Sequence, residues 1–257
     1  MGTIAITGSA GGIGAATRRR LEGDGHTVIG VDVRDAEVIA DLSTVDGRSA
    51  MVHAVTDACG GVLDGLVAGA GIFEADDSGL VVAINYFGAI ATLTGLRPLL
   101  ERGESPSAVA ISSNSTTTQP GLTLETAEAC LAGDEQGARR AAVANAYTSY
   151  PSSKLALAWW VRRHAGQAEW AGAGIRLNAI APGLILTPMT ETMADSVLNL
   201  GPVFPVPQRR TGRPEEVAGL LSYLLSPDAT FFCGSVVFMD GGTDAAVRSD
   251  DWPAPRP

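Results

Sequence analysis

The sequence predicts an α/β protein: one domain on a doubly wound, parallel sheet of about seven strands, with helices on both faces. Three observations lead there. Short runs rich in β-branched residues alternate with longer segments of helical periodicity, which is the signature of repeated βαβ units. One such run, Gly65–Ala70, is nearly all apolar, as a strand covered on both faces must be. The 257 residues, 46% hydrophobic and 18% charged, show no internal repeat and no long linker, so they form a single sizeable core.

The first predicted strand, Thr3–Thr7, starts at once, with no basic stretch before it to suggest a targeting segment. Thr7-Gly-Ser-Ala-Gly-Gly-Ile-Gly14 then leads into a helix over Gly12–Gly23. Gly8 permits a tight turn, while Gly12 and Gly14 let backbone approach a pyrophosphate and let the helix pack on the strand. Ser9 and Ile13 share this loop and are counted with the glycines as cofactor contacts. The helix N-terminus offers free N–H groups and a positive dipole end to phosphates. Strand two, Thr27–Asp32, closes on a carboxylate about 20 residues further on, completing a dinucleotide fingerprint. Asp32 can accept both ribose hydroxyls and repels a 2′-phosphate, so NAD is favoured over NADP, although Arg34 nearby softens that repulsion.

A short strand over Val38–Ala40, a helix over Val45–Cys59, the apolar strand Gly65–Ala70 and a helix over Gly79–Arg102 follow. Within that last helix Asn85 stands between Val-Val-Ala-Ile and Tyr-Phe, a poor helix former among apolar neighbours, which points to a task. After the strand Ala108–Ser112, residues 114–149 are too long for an ordinary connection. They begin polar and Thr-rich, and after Pro120-Gly121 place Leu124, Ala127, Cys130 and Leu131 at helical spacing. The next helix, Tyr150–Gln167, has Pro151 where a first turn tolerates it. A strand at Ile175–Ile180 precedes residues 183–207, whose mixture of apolar side chains and prolines suggests a partly helical lid over 184–207. Helix Pro214–Leu225 and strand Ser235–Met239 complete the pattern.

Among eighteen Lys and Arg residues only Lys154 is a lysine, and it lies four residues after Tyr150. On a helix that spacing puts both on one face. A compact ammonium there can stabilise a phenolate and draw a tyrosine pKa down towards neutrality, which a bulky guanidinium suits less well. The net charge of −10 argues against a nucleic-acid surface. Three scattered cysteines form no CxxC pair and read as free thiols of a reducing cytoplasm. His26, His53 and His164 have no metal-ligand spacing, so no metal site is expected. No stretch of about 20 residues is continuously apolar, so no membrane span is expected.

Taken in order, these motifs resemble the short-chain dehydrogenase/reductase family over nearly the whole chain. Its TGxxxGxG corresponds to Thr7 to Gly14, its acidic adenine contact to Asp41-Leu42, and its helical asparagine to Asn85. Its active serine corresponds to Ser113, its YxxxK to Tyr150 to Lys154, and its NxxxPG to Asn178 to Gly183, with Thr187 beyond. Asp240-Gly-Gly242 is also typical. The family's NNAG reads Ala68-Gly69-Ala70-Gly71 here, without either asparagine side chain. The resemblance implies a Rossmann fold with Gly69, Pro182, Gly183, Ile185 and Thr187 as further contacts to NAD. It makes Tyr150 the general acid and base, and gives Lys154 the nicotinamide ribose. Ser113 holds the substrate oxygen, and Asn85 kinks its helix and holds a water leading from Lys154 to solvent.

Within the family, Gly30–Thr44, Asn85–Gly88 and the insert before Tyr150 are similar to the bacterial hydroxysteroid dehydrogenase/carbonyl reductase branch. That similarity implies a bulky apolar secondary alcohol or ketone, such as a hydroxysteroid, as substrate. Helices like those at 79–102 and 150–167 usually pair between subunits in the family. The insert obstructs that contact, so a homodimer is expected, with a homotetramer as the alternative. A catalytically silent dinucleotide-sensing scaffold and an NADP-linked carbonyl reductase are the competing functions; the intact Ser-Tyr-Lys set weighs against the first.

Overall fold

The computed structural model describes residues 1–74 and 76–252. Its strands are β1 (Thr3–Thr7), β2 (Thr27–Asp32), β3 (Val38–Ile39), β4 (Gly65–Ala68), β5 (Ser107–Ile111), β6 (Arg176–Pro182) and β7 (Val236–Met239). They make one parallel sheet in the order β3-β2-β1-β4-β5-β6-β7. The order reverses between β1 and β4, where Thr7 faces Val31 on one side and Ala68 on the other. A crevice opens at the carboxyl ends of strands at such a switch point.

Why the strands are apolar on both sides follows from the two-residue repeat of side-chain direction. Ala5 and Leu66 join one core layer, with Met51 and Val55 of α2 (Val45–Ala58), Leu93 and Leu96 of α4 (Ala89–Leu100), and Leu157 and Val161 of α8 (Ala146–His164). Their neighbours Ile4, Ile6 and Val67 face the other layer, with Leu21 of α1 (Gly12–Gly23) and Val217, Leu221 and Leu224 of α10 (Pro214–Leu225). Each fully buried leucine contributes about 1.5–3 kcal/mol of transfer free energy, so the two layers hold the crevice rigidly.

Several elements differ from the sequence expectation for physical reasons. Strand β4 stops at Ala68 rather than Ala70, because the Thr7 hydroxyl accepts the next two N–H groups, of Gly69 and Ala70, at 3.1 and 3.2 Å. β6 runs on to Pro182 because β7 pairs with it that far. The helix carrying Tyr150 begins a turn earlier, at Ala146, so Pro151 lies inside it and not in its first turn. The carbonyl that Pro151 leaves without a donor belongs to Tyr147, a residue 73% exposed, where water is at hand. The expected helix over 79–102 is α3 (Ser78–Val82) joined to α4 through a π-helical turn, Ala83–Gly88.

Among the described residues this Ser78–Leu100 helix is the one long and apolar enough to cross a membrane, but 61% of its apolar window is buried inside the fold. It is a core helix. Residues 114–149 hold α5 (Ser115–Thr118), α6 (Glu125–Leu131), α7 (Glu135–Ala144) and the first turn of α8. α6 packs on α8 and α7 on α3, with Ala127 and Cys130 fully buried. Residues 184–207 include a short α9 (Ala194–Leu198) and a 3-10 turn, and the C-terminal motif leads into α11 (Thr243–Val247).

Candidate active site

A cavity of about 450 Å³ opens over the carboxyl ends of β1, β2, β4 and β5. At one end lies the glycine loop. Gly8 has φ +75°, and a side chain there would be strained. A Cβ on Gly14 would stand 2.0 Å from the Gly8 carbonyl, and one on Gly12 would stand 2.5 Å from Thr187. The N-terminus of α1 receives no side-chain cap and has no acidic residue in its first turn, so its N–H groups and dipole face the cavity uncompensated. Asp32 borders the same space, holding the Ala10 N–H at 3.0 Å and the Val33 N–H at 2.8 Å. Asp41, Leu42 and Arg34 continue that wall, and Gly69, Pro182, Gly183, Ile185 and Thr187 close the other side. Anion-binding amides at the centre and carboxylates at one end form a donor and acceptor set that fits NAD.

At the far end Ser113, Tyr150 and Lys154 share the wall with Ile111 and Ser112. Lys154 is 4% exposed, donates to the Ile111 carbonyl at 2.9 Å, and lies 5.9 Å from the centroid of the Tyr150 ring. Gly71 makes room for it, since a Cβ there would meet Lys154 Nζ and Asn85 Oδ1 at 3.1 Å each. The Ser112 hydroxyl donates to the Lys154 carbonyl at 2.9 Å, tying the end of β5 to α8. Ser113 Oγ accepts from the Ser115 N–H at 3.2 Å and the Ser115 hydroxyl at 3.0 Å. Both its lone pairs are thereby engaged, and its own proton is left for the cavity. Phe73 stands edge-on to Tyr150, with ring centroids 5.4 Å apart.

The electrostatics correct one expectation. Burial raises the Tyr150 phenol above its ordinary value, opposed by the neighbouring Ser113 hydroxyl, so it is not drawn towards neutrality. Burial likewise pulls the Lys154 ammonium down to about 8. At neutral pH Tyr150 therefore carries its proton and Lys154 is still largely charged.

Two predicted site residues lie behind the wall. Ser9 is 3% exposed, with its hydroxyl turned to Gly30, where a Cβ would come within 2.6 Å of it. Only its backbone belongs to the loop, with its N–H on the Val31 carbonyl. Asn85 is fully buried in the π turn, which is a common device where a helix must present a functional side chain. Its Oδ1 accepts the Ile72 N–H at 2.8 Å and its Nδ2 donates to the Ile72 carbonyl at 2.9 Å. Its side chain is thus spent on clamping the loop after β4, with a 3.4 Å contact to Ser153 beside Lys154.

Sequence reasoning missed Ser115 and Thr190; Thr190 lines the cavity together with Pro188 and Met189 of the expected lid. The hydroxyl run Ser115–Thr118 was the available signal for the first. The Asp240 motif supports the site from behind, its carboxylate accepting from Asn114 Nδ2 at 3.3 Å next to Ser113. Among the described residues no group of three or more His, Cys, Asp or Glu side chains is placed to hold a metal ion.

The chain is similar to known proteins along most of its length. Residues 2–124 match the family model described as short chain dehydrogenase, and residues 134–244 match the one described as Enoyl-(Acyl carrier protein) reductase. The 3-alpha-hydroxysteroid dehydrogenase/carbonyl reductase of Comamonas testosteroni is 40% identical, covering 96% of this chain and 98% of its own. The levodione reductase of Leifsonia aquatica is 30% identical over 95% of this chain and 94% of its own. The crystal structure of the 3-alpha-hydroxysteroid dehydrogenase from Pseudomonas sp. B-0831 complexed with NADH superposes with a TM-score of 0.88 at 46% identity, covering 97% of this chain and all of that one.

Proposed function

The chain belongs to the short-chain dehydrogenase/reductase family, and on that premise we propose that it interconverts a bulky apolar secondary alcohol, such as a hydroxysteroid, and its ketone. It is an NAD(H)-dependent oxidoreductase acting on a carbonyl or alcohol substrate. The observation that carries the alcohol–ketone chemistry is the meeting of Ser113, Tyr150 and Lys154 at one end of the cavity whose other end holds the glycine loop and Asp32.

NAD(H), when bound, gives hydride to the carbonyl carbon or takes it from the alcohol carbon. In the reducing direction Ser113 donates its free proton as a hydrogen bond to the substrate oxygen and shares the charge that develops there. Tyr150 transfers its phenolic proton to that oxygen, and in oxidation its phenolate accepts the alcohol proton. A general acid positioned in this way contributes roughly 10²–10⁴-fold. The Lys154 ammonium, fixed by the Ile111 carbonyl, stabilises the phenolate left behind and holds the nicotinamide ribose hydroxyls. Asn85 holds Ile72, and with it the loop that passes Lys154.

An apolar substrate is supported by the segment 184–207, which we assign as a lid. Met189 lines the cavity, and Leu186, Leu200 and Val203 on the same segment are exposed, as is Phe73 beside Tyr150. The substrate class in the name of the Comamonas testosteroni relative, a 3-alpha-hydroxysteroid, suits such a surface. The chain works in the cytoplasm, in keeping with free Cys59, Cys130 and Cys233 among the described residues. It forms a homodimer, because α6 and α7 pack on α8 and α3 and encumber the helix face that would complete a tetramer. Analytical ultracentrifugation distinguishes the two assemblies.

The test of function is a screen of NADH consumption with ketosteroids, terpenoid ketones and simple aromatic ketones. Turnover of ketosteroids or similarly bulky ketones is expected. NADH binding without turnover of any ketone would instead favour a dinucleotide sensor.

A further inference from the structure

Arg48 has no place in the chemistry, yet it is 8% exposed and each of its three guanidinium nitrogens is hydrogen-bonded. From the first turns of α2 its guanidinium donates to the carbonyls of Leu42 at 2.7 Å, Ser43 at 3.3 Å and Ala83 at 3.0 Å. It also grips Glu135 through both carboxylate oxygens, at 2.7 and 2.9 Å. Glu135 opens α7, 87 residues further along the chain, within the insert. Arg139 on the same helix holds Glu135 at 2.8 Å and the Ser43 carbonyl at 2.8 Å.

These carbonyls are not arbitrary points of the fold. Leu42 lines the cavity beside Asp41, at the end where the family resemblance puts the adenine contact of NAD. Ser43 continues that loop, and Ala83 is the first residue of the π turn that presents Asn85. A guanidinium taken out of water persists only when paired and hydrogen-bonded, and loss of one partner leaves an uncompensated charge. Without Glu135, Arg48 would move towards solvent or another acceptor, and the loop carrying Asp41 and Leu42 would lose the donors that Arg48 fixes on Leu42 and Ser43.

We propose that Arg48 and Glu135 are positioning residues for the cofactor: the insert supplies the carboxylate that keeps Arg48 in place, and Arg48 sets the wall of the adenosine pocket. This deepens the NAD site of the preceding section and rests on it. It gives residues 114–149 a part in cofactor affinity besides their packing on α3 and α8.

The test uses the full chain with Glu135→Gln, and measures dissociation constants for NADH, ADP-ribose and reduced nicotinamide mononucleotide. The expected result is a roughly tenfold weaker affinity for both NADH and ADP-ribose, the loss typical of a disrupted charged hydrogen-bond partner. Reduced nicotinamide mononucleotide, which lacks the adenosine half, binds as before, and kcat at saturating NADH is retained. ADP-ribose affinity within about two-fold of the parent, inside the usual spread for independent sites, would overturn the proposal. So would equal losses for the mononucleotide, which would signify general loosening. If Glu135→Gln does not fold, Arg48→Lys, which keeps the charge but not the fork, is judged by the same three constants. A parent protein that binds neither NADH nor ADP-ribose would overturn the cofactor site itself, and the two failures are therefore distinguishable.

Discussion

Lys154 is held at a cost that can be measured. Its folded value of about 8 lies below its ordinary 10.5 because burial disfavours the ammonium. Between those two values the unfolded chain keeps a proton that the folded chain has shed, so this residue makes stability rise with pH across that window. Below it the buried charge costs about 3 kcal/mol. Lys154→Met is therefore expected to be more resistant to urea than the parent at pH 7, with the gap closing as pH rises from about 8 towards 10.5. A gap that is flat with pH would show that the ammonium is not strained. An unfavourable cation stands here as the one lysine beside seventeen arginines, which fits a role in chemistry better than one in folding. Lys154 and Tyr150 were legible because their four-residue spacing needs only the helix repeat. The direction of the Tyr150 shift was not, since desolvation depends on neighbours from β5 and the loop after β4 that no local spacing reveals.

At the scale of elements, the π turn is where local propensity and function meet. Asn85 was legible as an anomaly in an apolar helix, but its partner Ile72 was not, because that contact joins a loop to a helix across a fold-dependent gap. Replacing Asn85 with Ala leaves the Ile72 N–H and carbonyl without partners. A loss of roughly 2–4 kcal/mol is expected in urea denaturation, together with reduced turnover as the loop beside Lys154 loosens. Unchanged stability would mean that Ile72 finds other partners. The conformation of the glycine loop, a turn between β1 and α1, followed from its setting. The direction of the Ser9 side chain did not: it depends on Gly30 in the adjacent strand. The early start of α8 was hidden by Pro151, whose usual first-turn preference yields here to an exposed carbonyl at Tyr147.

For the whole molecule, the alternation of apolar strands and amphipathic helices carried nearly all of the architecture, since in a doubly wound sheet each strand must satisfy two layers at once. What it did not carry were long-range polar ties such as Arg48 with Glu135, for which side-chain periodicity holds no information. Cofactor choice is also a property of the assembled cavity, where Asp32 and Arg34 line the same end. Asp32→Ala is expected to weaken NADH binding about tenfold and to narrow or reverse the preference over NADPH, because it removes both an acceptor for the ribose and a repulsion of the 2′-phosphate. An unchanged ratio of the two dissociation constants would take Asp32 out of cofactor selection.

The most direct measurement is the single-turnover rate of ketone reduction by Tyr150→Phe, with NADH affinity and folding determined on the same sample. With Tyr150 as the proton donor, the rate falls by at least about 10²-fold while NADH binds as tightly as in the parent. A folded variant that holds NADH and reduces the ketone at the parent rate would contradict it.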